Sequence, residues 1–113
     1  MKLAQQDMAT PHTPTIAAKR AIRKIGSDLR TARLRRHLPM ETVAQRAFVS
    51  RGTMARVEKG DPAVSLGIYA SVMQALGLID RLPDVVADDP VGLDLETERL
   101  PKRVRAKKIH ERD

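Results

Sequence analysis

Residues 40–60 read METVAQRAFVSRGTMARVEKG, and the fold turns on how this stretch is divided. Val43, Ala44 and Ala47 recur at helical spacing, Phe48-Val49 interrupts them, and Ser50 stands as an N-cap. Met54 and Val57 then resume an apolar stripe that ends at Gly60, a residue suited to the left-handed turn that closes a helix. The pattern predicts two short helices, over 40–47 and 51–59, joined by a tight turn. Arg51, Gly52, Thr53, Arg56 and Lys59 are left pointing outward from the second. Gly52 is the odd member, because a glycine inside a helix costs about 0.5–1 kcal/mol relative to alanine.

Upstream, residues 19–37 place Ile22, Ile25, Leu29 and Ala32 on one stripe, with Arg23, Arg30 and Arg35 opposite. Pro39 ends that segment where the next helix begins, a position that tolerates the missing N–H. Downstream, Ser65 caps a helix over 66–76 whose Leu66, Tyr69, Ala70, Met73 and Leu76 share a face, and Gly77 stops it. Residues 78–86 offer a fifth helix. Before residue 80 no strand pattern occurs, while Val91, Leu93 and Leu95 alternate with Gly92 and Asp94 and read as one short strand near 91–95. Residues 1–18, with Thr10-Pro11-His12-Thr13-Pro14-Thr15, have no apolar period and read as a flexible arm. The body is all-α.

Charge divides the chain. The 113 residues carry a net charge of +7, which favours anionic partners. Residues 19–59 hold twelve Lys/Arg against three acids, residues 80–98 balance at −6, and residues 99–113 return to +5. The order is a domain over 19–79, an acidic connector over 80–98 with a candidate role in dimerisation, and a basic tail over 99–113. Phe48 and Tyr69 are the only aromatics, a poor stacking platform for single strands, so duplex DNA is the better anionic partner. No apolar run reaches the ~18–20 residues that span a bilayer. With no h-region of a signal peptide at the start, a cytoplasmic location is expected.

Two short helices joined by a tight turn, the second opening with a cap and small or basic residues, form a helix-turn-helix arrangement. Ala44 supplies the small residue that such closely crossing helices require. Arginine forks match the O6/N7 edge of guanine, and a threonine offers a hydroxyl or a methyl. Residues 25–77 resemble the XRE family of lambda-repressor-like helix-turn-helix domains through Ile25-Gly26, Leu29, Arg33, Val43-Ala44, Ser50, Glu58-Lys59-Gly60 and Leu76-Gly77. The resemblance implies a domain of four to five short helices that uses no cofactor. Arg51, Gly52 and Arg56 are implied base readers, joined by outward-facing Thr53, and Ser50 and Lys59 are implied phosphate contacts. It further implies a buried ion pair between Arg33 and Glu58. Arg35 and Arg36, in the basic run of the first helix, are further candidates for phosphate.

Two positions depart from the family pattern. Met40 stands where glutamine often binds a phosphate, so that contact lacks its usual donor. Phe48 stands where the turn often has glycine, and a left-handed phenylalanine there would cost on the order of 1 kcal/mol. A narrower likeness, carried by Arg46–Arg51, by VEKGDPAVSLGIYASVMQALGL and by GLDLETERLPKR, is to the HipB-type branch. That branch implies a homodimer that represses its own operon from a palindromic operator and restrains a HipA-like serine/threonine kinase toxin. A stand-alone XRE repressor and a protein–protein adaptor are the alternatives. His12, His37 and His110 have no ligand spacing, so no metal site is expected, and no cysteine or phosphate-cradling glycine loop points to an enzyme. The tail PKRVRAKKIHERD admits both DNA clamping and docking to a partner.

Overall fold

The structure, a computed structural model, describes residues 12–96. They divide into two units at Leu82/Pro83. The first contains helices α1 (Ile16–Arg35), α2 (Met40–Ala47), α3 (Arg51–Glu58) and α4 (Leu66–Ala75), followed by a 3-10 turn over Ile79–Arg81. The second contains α5 (Pro90–Glu96). No strand occurs among the described residues.

Each helix start follows local chemistry. Thr15, Ser50 and Ser65 sit in extended backbone, and their hydroxyls accept from the N–H groups of Ala18 (3.1 Å), Thr53 (3.0 Å) and Ile68 (3.2 Å). Thr15 is thus a cap rather than part of an arm, and residues 16–18 form the first turn of α1. Residues 1–11 of the expected arm, and the basic tail over 99–113, lie outside the described residues.

The four helices of the first unit also end alike. In each, a residue in the left-handed region lets two successive N–H groups turn back onto the last carbonyls: His37 after α1, Phe48 after α2, Gly60 after α3 and Gly77 after α4. Phe48, at φ 60°, keeps the turn that glycine usually makes, and its side chain is 95% exposed.

Val43, Met54, Val57 and Val72 have no exposed surface and form the centre of the core, with Leu29, Ala44, Ala47, Tyr69 and Leu76 around them. The stripe on α1 is rotated from its expected register. Leu29 and Ala32 are buried as expected, and so is Arg33, but Ile25 is 41% exposed and Gly26 is buried in its place. Gly26 is required there. A methyl group on it would collide with the Val57 carbonyl and come within 2.6 Å of the Gly60 nitrogen. A methyl on Gly60 would in turn strike the Arg23 backbone and lie 2.8 Å from the Ile22 carbonyl oxygen. The backbones of α1 and of the end of α3 therefore touch.

The short strand expected near 91–95 is instead the helix α5. Asp89 accepts from the Gly92 N–H at 3.1 Å, and Pro90 fills the first helical position, so the segment opens with a cap and a preset φ. A lone strand would have had no ladder to join. The helix expected over 78–86 is reduced to the 3-10 turn at Ile79–Arg81.

Candidate nucleic-acid interface

Helix α3 is eight residues long and sharply two-sided. Met54, Val57 and Glu58 are buried, while Arg51, Gly52, Arg56 and Lys59 are exposed and Thr53 is half-buried. Gly52, Arg56 and Lys59 follow one another at helical spacing on the side away from Met54 and Val57. Nothing but the Ser50 hydroxyl comes within 4 Å of where a Gly52 side chain would begin, so Gly52 opens a shallow, unobstructed patch beside Arg56.

The inner side of α3 is fixed by charge as well as by packing. Arg33 donates from Nε to Glu58 Oε2 at 2.6 Å and from a terminal nitrogen to Oε1 at 3.1 Å. Its other terminal nitrogen donates to the Leu38 carbonyl at 2.9 Å, which ties in the α1–α2 connection. The hydrogen bond to Glu58 and the charge beside it raise the Arg33 pKa despite the cost of burial. Arg30 approaches the same carboxylate at 4.0 Å from the solvent side.

The other expected positions divide. Ser50 uses its hydroxyl within the cap, accepting from the Thr53 N–H and donating to the Thr53 hydroxyl at 3.0 Å. Arg36 donates to the Ala32 carbonyl at 2.8 Å and so caps the end of α1, while Arg35 is exposed on the same last turn. Met40 is half-buried against the core.

One contact escaped the sequence reading. Arg56 donates from Nε to Asp61 Oδ2 at 2.8 Å. The signal was present: Gly60 in a left-handed turn folds the third residue beyond α3, Asp61, back over its last turn, next to Arg56. Asp61 also accepts from the Ala63 N–H at 2.9 Å, and its carbonyl accepts from the Tyr69 hydroxyl at 2.8 Å. The hydrogen bond from Arg56, and then that from Ala63, hold the Asp61 carboxyl below the usual carboxylate range.

A capped, cationic outer face on the second of two tightly joined helices, over an apolar inner face, is the arrangement of a DNA-binding helix-turn-helix protein. The helix-turn-helix domain family matches the chain over residues 24–84, 61 of its 113 residues, and the chain belongs to that family. No curated protein and no solved structure matches the chain. Among the described residues, no helix is long and apolar enough to cross a membrane.

Proposed function

We propose that the chain is a cytoplasmic transcriptional repressor that reads duplex DNA with α3. The observation that carries this reading is the two-sidedness of that helix. Met54, Val57 and Glu58 anchor it inward, while Arg51, Gly52, Thr53, Arg56 and Lys59 line its outer side. Arg51 and Arg56 are the base readers, Thr53 adds a hydroxyl or a methyl contact, and Gly52 lets the helix backbone approach the bases. Lys59, with Arg35 and Arg36, serves the phosphates, which supply affinity without sequence information, while Ser50 keeps its hydroxyl in the helix cap. The protein acts as a homodimer on a palindromic operator, with two copies of α3 about 34 Å apart along the groove. Exposed Ile25 and Leu66, with Ile22 and Met73 beside them, give a second copy an apolar surface to cover.

The finer reading is an antitoxin that restrains a HipA-like kinase and represses the operon encoding both. Its support is the likeness of residues 46–51, 57–78 and 92–103 to the HipB-type branch.

Duplexes selected from a random pool, followed by titration of the selected operator at several salt concentrations, test DNA reading. Arg51→Ala is expected to lose roughly 1–3 kcal/mol on the operator, about 5- to 150-fold, with little change on random duplex. Equal binding of both duplexes by Arg51→Ala and the wild-type protein overturns the role of that residue. A wild-type protein without salt-dependent duplex binding is an adaptor instead. Capture from native cells tests the kinase: a kinase of several times this chain's mass should co-purify, and recovery of the chain alone counts against the antitoxin role.

A further inference from the structure

The Arg56–Asp61 contact has the geometry of a device for aiming a base-reading side chain. A free arginine on a helix surface samples many rotamers and offers its guanidinium from several sides. Here the Nε–H is already given to Asp61 at 2.8 Å. The two terminal amino groups make no hydrogen bond among the described residues, and the side chain is 52% exposed. What remains is the end of the fork, two parallel N–H donors at the spacing of the O6 and N7 acceptors of guanine. Adenine and cytosine offer an amino donor in the major groove where that fork needs an acceptor.

Asp61 is itself held on three sides. Its N–H donates to the Arg56 carbonyl at 3.0 Å, its Oδ1 accepts from Ala63 at 2.9 Å, and its carbonyl accepts from the Tyr69 hydroxyl at 2.8 Å. The first and last tie the Asp61 backbone to α3 and α4, and the Ala63 N–H holds the carboxylate itself. An acid beside the reading face also repels phosphate, so its presence lowers general affinity for DNA. A side chain that sacrifices affinity while orienting an arginine is suited to discrimination.

We propose that Asp61 is a positioning residue for base recognition: by holding Nε of Arg56 it presents that side chain end-on to one guanine in each half-site. The proposal rests on the reading of DNA by α3, and its test separates the two. Binding is measured for the wild-type protein, Asp61→Ala, Arg56→Ala and the double variant. The probes are the selected operator, every single-base-pair substitution of one half-site, and a random duplex. Asp61→Ala should lose about tenfold in discrimination at one G·C pair and gain affinity for random duplex at low salt. Arg56→Ala should lose discrimination at the same pair, and the double variant should be no worse there than Arg56→Ala. Asp61→Asn keeps an oxygen for the Ala63 N–H and gives the same readout should the alanine variant fail to fold. An Asp61 variant that discriminates every base pair as the wild-type protein does overturns the proposal. So does a variant that weakens all duplexes alike, which is the mark of a purely structural role. A wild-type protein that selects no sequence at all overturns DNA reading by α3 itself.

Discussion

Arg33 and Glu58 lie 25 residues apart in sequence and share two hydrogen bonds, of 2.6 and 3.1 Å, inside the junction of α1 and α3. Both are 8% exposed, so each depends on the other for the solvation it has lost.

Removing one partner leaves a buried charge unpaired. Arg33→Ala and Glu58→Ala are each expected to lower the unfolding free energy by about 3–5 kcal/mol, a large share of what a small domain has. Denaturant titration followed by circular dichroism measures this. The double replacement Arg33→Met with Glu58→Leu should recover most of the loss, because apolar side chains of similar volume need no solvation. A loss below 1 kcal/mol for both single variants would show that water reaches the pair.

Phe48 stores strain without packing to offset it. Its φ is 60°, and its side chain is 95% exposed. Phe48→Gly should therefore stabilise the domain by about 1 kcal/mol, since the left-handed region is open to glycine. For a domain of this size that corresponds to a rise in Tm of roughly 4–8 °C, measurable by calorimetry. An unchanged or lower Tm would mean that the greater freedom of glycine in the unfolded chain outweighs the relief.

Tyr69 is the chain's single tyrosine, so its ultraviolet titration reports one site. Burial, and then the negative charge of Asp61, push its phenol up from the ordinary value near 10. The fold thus favours the neutral phenol. Its contribution to stability is intact below pH ~10 and is lost as pH rises through the higher folded value. The midpoint of phenolate absorbance should lie above 10 in the native protein and fall to about 10 in denaturant. Asp61→Asn should bring the native midpoint part of the way down. Equal midpoints in the two states would contradict the burial of this hydroxyl.

Much of the architecture was legible because local chemistry and core packing agree. Ser50, Ser65, Gly60 and Gly77 mark helix ends by properties they have in any context, and Met54 and Val57 mark the inner side of α3. The register of α1 was not legible, because apolar Ile25 is a better core residue by type than Gly26. Gly26 wins only through the backbone contact with Val57 and Gly60, a tertiary fact with no periodicity. The segment at 91–95 misled for the opposite reason. Its alternation is real, but with a period of two over five residues it does not outweigh the cap that Asp89-Pro90 supplies. At the candidate interface, the outward set on α3 followed from spacing, and the Arg33–Glu58 pair from resemblance. The Arg56–Asp61 contact depends on a turn that brings residues five apart into register, which helix spacing does not describe.

The contact of Gly26 with the end of α3 separates pose from message. Backbone meets backbone there, so the angle at which α3 leaves the body owes nothing to the side chains on its outer surface. On the proposed reading of DNA, residues 51, 52, 53 and 56 are interchangeable letters in a fixed type-holder, open to rewriting while the helix stays where it is. On that same reading the preferred site could drift, or be reassigned by design, at little expense to the fold, whereas a single methyl group on Gly26 would displace the whole helix at once.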